Sequence, residues 1–216
     1  MASVQLSRME ALGCTGCTHA CHVMLYCDTE TQLFGKIPIR HIILMQMRFD
    51  GLLGFPGGLV NLSEETLEAG LSRELWEELG VALPIAVEDH VDSCHAPASS
   101  PSSSSPLITN FYVKKMEEEQ IREVEIAAAS TATDHGQEVL GMVRVPLCTT
   151  KGLASFLSHS FIGNARSQLV NSLLRFNLIA PEELHKALTH SLKIHTHTAE
   201  DLRAALALTE AKRKRL

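Results

Sequence analysis

A chain of 216 residues with 45% hydrophobic content holds enough apolar material for one substantial core. Its formal net charge of −6 supplies no global basic field to recruit nucleic acid, so any RNA partner has to be held by local contacts. No apolar run approaches the roughly 20 residues of a membrane-spanning helix, and the N-terminus lacks a basic stretch leading into an apolar core and a cleavage site, which predicts a soluble, intracellular protein.

Residues 1–18 show no clear periodicity and read as an irregular or short helical lead-in. The six cysteines, Cys14, Cys17, Cys21, Cys27, Cys94 and Cys148, are scattered in a chain too large to need disulfides, and free thiols are expected. Cys14-x-x-Cys17, with His19, Cys21 and His22 nearby, has no second pair at the distance a closed four-ligand zinc site requires.

From Ala20 to Cys27 the sequence ACHVMLYC reads as a strand, bounded by the polar turn Asp28-Thr29-Glu30-Thr31. His22 alternates with Val23 there, as a residue facing a site or as a structural histidine. His41 to Phe49 is a second, central strand followed by the turn Asp50-Gly51. Arg48 therefore precedes a Gly-rich turn, where a guanidinium either contacts base or phosphate or forms a structural ion pair.

The stretch from Gly57 to Val81, GGLVNLSEETLEAGLSRELWEELGV, organises the rest. It predicts a helix from about Glu64 to Leu79, with Ser63 as N-cap and Gly80 as the stop. At about 100° per residue, Leu67, Leu71 and Leu75 form a buried stripe, and Glu74 and Glu78 project at its edge or within its arc. Glu74, Glu77 and Glu78 stand at i, i+3 and i+4, where like charges oppose one another and partial burial raises the cost. A bound cation reverses the sign. Hard divalent ions such as Mg²⁺ take carboxylate and carbonyl oxygens and are shared with substrate phosphates, so the helix reads as a phosphate-chemistry site.

Farther on, Ile85 to Ser93 holds an expected edge strand, and Pro97 to Pro106 is a Ser/Pro loop lacking apolar residues to pack. Leu107 to Lys114 resumes strand character, and Met116 to Ala129 reads as an acidic amphipathic helix on Ile121, Val124 and Ile126. Asp134-His135-Gly136-Gln137-Glu138 precedes a strand from Val139 to Leu147; it is an acid/base or metal cluster, or an exposed polar turn. Helical spacing follows at Gly152 to Ser158, Ile162 to Asn177, Pro181 to Ile194 and Ala199 to Lys212, before a basic end, Lys212-Arg213-Lys214-Arg215.

Arg73 to Val81, RELWEELGV, matches the core of the Nudix box, Gx5Ex7REUxEExGU with U apolar, and the expected seven residues separate Glu65 from Arg73. Gly58 and Glu65 are separated by six residues instead of five: either the loop carries an insertion, or Glu64 takes the first glutamate role. His19-Ala20-Cys21-His22, the run from Leu44 to Gly58, Asp134 to Leu147, and Phe161-Ile162-Gly163 with Gln168-Leu169 resemble one branch of the Nudix hydrolases over about residues 19 to 175. It is the nuclear branch that decaps small nucleolar RNA and hydrolyses inosine diphosphates.

The resemblance implies an α/β Nudix fold, a mixed β-sheet between α-helices, in a domain over 19–195 followed by a C-terminal helix and tail over 196–216. It implies Mg²⁺ or Mn²⁺ on Gly57 (through its carbonyl), Glu74, Glu77, Glu78 and Glu138, with these glutamates catalytic, and His22, Arg48, Phe55, His95 and Gln168 contacting the nucleotide. Nucleolar or nucleoplasmic location, capped RNA and inosine diphosphate as partners, and a homodimer are implied likewise. The Ser/Pro loop, a short Thr149 to Ser155 stretch and the basic extension depart from the branch. One relative within it has lost the Nudix glutamates and works through protein and RNA binding; Glu74, Glu77 and Glu78 are all retained here, which favours catalysis. General nucleotide or ADP-ribose house-cleaning is the alternative activity.

Overall fold

Strand β1 (Val4–Leu6) and helix α1 (Arg8–Gly13) lead into the long strand β2 (Thr18–Asp28), a small hairpin of β3 (Gln32–Leu33) and β4 (Ile37–Pro38), and the central strand β5 (His41–Arg48). The short strands β6 (Leu53–Gly54) and β7 (Gly57–Val60) precede helix α2 (Leu67–Leu79). Then come β8 (His90–Ala96), β9 (Leu107–Lys115), α3 (Glu118–Ser130), β10 (Val139–Arg144), α4 (Thr150–Leu157), α5 (Ala165–Arg175) and a helix α6 over 181–194. This is a computed structural model, and it describes residues 4–96, 106–194 and Arg203.

The main sheet runs β1-β8-β9-β2-β5-β10, with β6 on β5 and β7 on β2. Only β2 and β9 pair in parallel among the described strands; the other ladders are antiparallel. A parallel pair needs a long crossover, and α2 and β8 both lie in it. Strand β2 is apolar on both faces because both are covered. Cys21, Val23 and Leu25 pack with Leu67, Leu71, Leu75 and Leu79 of α2 and with Ile121 and Val124 of α3. Met24 and Tyr26 pack with Phe55, Phe111, Leu153, Leu169, Leu173 and Leu184 on the opposite face. Each leucine of α2 removed from water contributes about 2 kcal/mol, which holds the glutamate-bearing helix against the sheet despite its charge.

Several expectations need correction. The lead-in contains a strand as well as a short helix: β1 pairs with β8, and Ser7 caps α1 by accepting from the Glu10 N–H while Glu10 accepts from the Ser7 N–H. Arg8 then pairs with Glu68 at 2.8 Å and ties this segment to α2. Cys14 and Cys17 are joined in a disulfide, contrary to the free thiols expected; Gly16, at φ +78°, makes the turn that brings their Cα atoms to 5.9 Å. Helix α2 starts at Leu67 on Thr66, not at Glu64 on Ser63. Strand β10 stops at Arg144, short of Leu147, where Pro146 cannot donate to the ladder. Of the Ser/Pro loop only Pro106 is described; Ala199 to Lys212, apart from Arg203, and the basic end lie outside the described residues. No described helix is long and apolar enough to cross a membrane.

Candidate active site

The approach to α2 is built around Asn61. Its side-chain oxygen accepts from the Ser63 N–H and hydroxyl at 3.2 and 2.7 Å, and its carbonyl accepts from the N–H groups of Glu64 and Glu65, both at 3.0 Å. This tight turn absorbs the extra residue of the box. Thr66 then caps the helix, accepting from the Ala69 N–H at 3.2 Å. The Arg73 guanidinium reaches back over the turn, donating to Glu65 at 2.9 Å and to the Leu59 carbonyl at 3.1 Å, while its other nitrogen donates to Glu74 at 2.8 Å and Glu77 at 3.4 Å. Glu65 therefore fills the first glutamate position of the box, and Glu64 is exposed. The ambiguity of the sequence is resolved by which carboxylate the arginine holds.

Glu78 sits at the bottom of the site, 5% exposed. One carboxylate oxygen accepts from the Gly57 N–H at 2.7 Å and the other from Gln46 Nε2 at 2.9 Å. Burial nevertheless outweighs these bonds and pushes the carboxyl up to about 7, with the charges of Glu74 and Asp134 acting in the same direction. Glu74 is raised as well, first by burial and then, against the opposing help of Arg73, by Glu77 and Asp134. Two glycines make the close approach possible. At φ +125° and with a Cβ position overlapping the Cys21 carbonyl, residue 57 admits glycine alone, and a Cβ on Gly58 would overlap the Glu74 carboxylate.

Among the described residues, no three His, Cys, Asp or Glu side chains converge closely enough to form a ready metal cluster. The donor set still fits a hard divalent cation. Two carboxyls, Glu74 and Glu78, are held above their ordinary range by burial and by the acidic charges around them, which a cation relieves. Gln46 Oε1 is buried with no hydrogen-bond partner beside Glu78. Glu138, the fifth expected ligand, is exposed in the turn before β10, where its carbonyl accepts from the Phe49 N–H at 3.0 Å. Closer to the helix is Asp134, whose N–H donates to the Glu77 carbonyl at 3.2 Å and whose charge raises both Glu74 and Glu78. The sequence offers Asp134 as one member of an acid/base or metal cluster or of an exposed turn, without placing it among the expected ligands.

The expected nucleotide contacts divide. His22 stands opposite Gly57 on β7 and Phe111 on β9, and burial together with the nearby Arg48 charge lowers its pKa to about 4, so the ring is neutral. Arg48 pairs with Asp50 at 3.1 Å and lies over the Phe49 ring at 5.4 Å, the ion pair foreseen as its alternative. Phe55 is 2% exposed and packs on Phe111 at 5.0 Å between ring centres. Gln168, on α5, is buried, and its Nε2 has no hydrogen-bond partner. His95 is not brought to this group: it stands opposite Ile108 and Val4, three residues beyond the Asp92–Phe111 pair and so on the other face of the sheet.

The sheet with its box helix has the shape of a Nudix domain. A solved NUDIX domain of Shewanella oneidensis NrtR, complexed with ADP ribose, superposes with a TM-score of 0.50 at 18% identity, covering 81% of this chain and 100% of that one. With the glutamates of the box in place on α2, the molecule is a Nudix hydrolase. Residues 19–179 match the family model described as Nudt16-like, U8 snoRNA-decapping enzyme-like, and the chain belongs to that family. A U8 snoRNA-decapping enzyme of Mus musculus is 47% identical over 183 residues, covering 82% of this chain and 91% of its own, and one of Xenopus laevis is 41% identical over 193 residues, covering 88% and 90%. A Tudor-interacting repair regulator protein of Homo sapiens is 42% identical over 205 residues, covering 92% and 93%.

Proposed function

We propose that the protein is a Mg²⁺- or Mn²⁺-dependent pyrophosphohydrolase that cleaves inosine diphosphate to its monophosphate and opens the triphosphate bridge of capped RNA. The observation that carries this reading is the Glu78 carboxylate, buried between the Gly57 N–H and Gln46 with Glu74 beside it. Glu74, Glu77, Glu78, the Gly57 carbonyl and Glu138 would hold the ions, whose chemistry is to neutralise the diphosphate and lower the pKa of water. The chain's own residues do the rest. Arg73 fastens the Leu59–Glu65 turn to the helix, so the glycine backbone and the carboxylates keep one geometry. Neutral His22 and the Arg48 guanidinium stand where the nucleotide enters, and burial of the wall by Phe55 and Phe111 excludes water from the base.

The relatives named as decapping enzymes support capped RNA as one substrate. The similarity to a Tudor-interacting repair regulator protein favours a second reading, a non-catalytic binding role, against which the retained glutamates stand. A nuclear location and a homodimer belong to the same proposal. Purified protein with Mn²⁺ or Mg²⁺, offered inosine diphosphate, the other ribonucleoside diphosphates, ADP-ribose and capped RNA, tests it: release of inosine monophosphate and a cut within the cap bridge are expected. Turnover of ADP-ribose alone would leave a house-cleaning hydrolase, equal turnover of all diphosphates would remove the inosine preference, and no turnover would leave the binding role.

A further inference from the structure

Two buried polar atoms on the α5 side of the sheet have no hydrogen-bond partner: Oδ1 of Asp92 on β8 and Nε2 of Gln168 on α5. A buried polar atom left unmet keeps its desolvation penalty with nothing to offset it, so both point to a missing partner. The backbone aims Asp92 at this side deliberately. Register slips between His90 and Asp92, so that Val91 and Asp92 together oppose Phe111, and such a bulge turns a side chain that strand alternation would send the other way. The outcome is visible in the neighbours: His90 packs on Tyr112 and Ser93 bonds Asn110, both on the other face, while Val91 packs with the cluster that contains Phe55, Phe111 and Leu169.

Asp92 thereby joins the row Asp92–Phe111–His22, whose last member stands beside Gly57 of the box. Helix α5 lies over that row. Asn164 donates to Thr109 at 3.3 Å at its start, and Arg175 donates to the Val91 carbonyl at 3.3 Å at its end, with Gln168 between them. Burial raises the Asp92 carboxyl above its ordinary range, the Arg175 charge opposes that rise, and an N–H donor on its unmet oxygen would favour the ionised form further. A carboxylate oxygen accepts only, and an amide nitrogen donates only. The Watson–Crick edge of a 6-oxopurine offers the complement, an N1–H donor beside an O6 acceptor, whereas adenine offers the reverse.

We propose that Asp92 is a specificity-determining residue that accepts the N1–H of a 6-oxopurine base, with Gln168 donating to O6. This rests on the nucleotide-hydrolase reading above and names the residue that selects the base. Sequence patterning did not single out Asp92, because the bulge that redirects it leaves no mark in a strand read by alternation.

The test measures binding to metal-free protein of inosine monophosphate, 1-methylinosine monophosphate and adenosine monophosphate, alongside Mn²⁺-dependent turnover of the diphosphates. Wild type should bind inosine monophosphate at least about 10-fold more tightly than either of the others, the range expected when a buried acceptor loses its donor. Asp92→Ala should remove the penalty for N1-methylation, and the isosteric Asp92→Asn, chosen in case the alanine variant folds poorly, should narrow the inosine-to-adenosine ratio by a similar factor. A penalty for N1-methylation that survives in both variants, or an equal loss for all three ligands, overturns the proposal. Wild type that turns over diphosphates without preferring 6-oxopurines sinks this inference alone, whereas wild type that neither binds nor hydrolyses any nucleotide sinks the hydrolase reading with it.

Discussion

The backbone N–H of Gly57 donates to the carboxylate of Glu78 at 2.7 Å, joining the tip of a strand to the last turn of the helix that follows it. The same carboxylate is nearly inaccessible and is pushed up to about 7, so the bond orients it without making its charge comfortable. Orientation comes from the glycine, and the residual cost is the affinity of the site for a cation.

Glu78→Gln separates those two parts. The amide oxygen can still accept from Gly57, and its NH₂ can donate to Gln46 Oε1, which has no partner in the wild type, once the Gln46 amide turns. The metal-free fold should match wild type at low pH, where Glu78 is protonated, and exceed it above neutral pH, while turnover falls by about 10²-fold or more. Mn²⁺ should raise the wild-type melting temperature, by about 2.7 kcal/mol of stabilisation at a hundredfold excess over Kd, and the variant should lose most of that increment. Thermal scans of both proteins with and without Mn²⁺ check it; an intact Mn²⁺ response in a strongly destabilised variant would make Glu78 a structural residue.

The pH dependence has a definite sign. Because the folded carboxyl of Glu78 sits at about 7, above its ordinary 4.5, its contribution to stability is complete below pH 4.5 and is lost as pH rises through about 7. Chelator-treated wild type should therefore lose roughly 3 kcal/mol relative to Glu78→Gln between pH 4.5 and 8. Denaturant titrations of both proteins across that range measure the difference, and a flat difference would mean that Glu78 stays ionised throughout.

Gly58→Ala places a Cβ into the Glu74 carboxylate. Glu74 must rotate away, and it takes its hydrogen bond to Arg73 with it. The expected result is a loss of Mn²⁺ affinity of at least 10-fold, read by the Mn²⁺ dependence of turnover, with a melting temperature lowered by only a few degrees. An unaltered Mn²⁺ dependence would show that Glu74 is not a ligand.

Arg48→Ala should raise KM more than it lowers kcat, as for a residue that binds substrate equally in the ground and transition states. Its partner Asp50 is exposed enough to return to water, so stability should change by less than about 1 kcal/mol. Steady-state kinetics with inosine diphosphate decides it, and an unchanged KM would leave Arg48 as the Asp50 counterion alone.

The parts of this molecule that were legible in the sequence are those governed by local period and spacing. Leu67, Leu71 and Leu75 announce the buried face of α2, and all three are buried, with Leu79 joining them. The burial of Glu78 follows from the same wheel. Contacts made across many residues were invisible: that Gln46 would meet Glu78, and that Asp134 rather than Glu138 would bring its charge to the helix, depend on how distant segments come together. Ser63 was misjudged because its hydroxyl is drawn into the Asn61 turn, and Thr66, three residues later, caps the helix instead. The first strand was missed because three residues at a sheet edge carry no periodicity to read.

That edge strand bears on how the protein can be handled. A recombinant fragment trimmed to the family-matched boundary at residue 19 would lack β1, α1 and Arg8. It would bare the hydrogen-bonding rim of β8 and strip Glu68 of its arginine at one stroke. Unpaired rims of this kind zip onto one another. Clumping of such a fragment in the test tube would therefore report a badly chosen cut, and would say nothing about whether intact molecules pair.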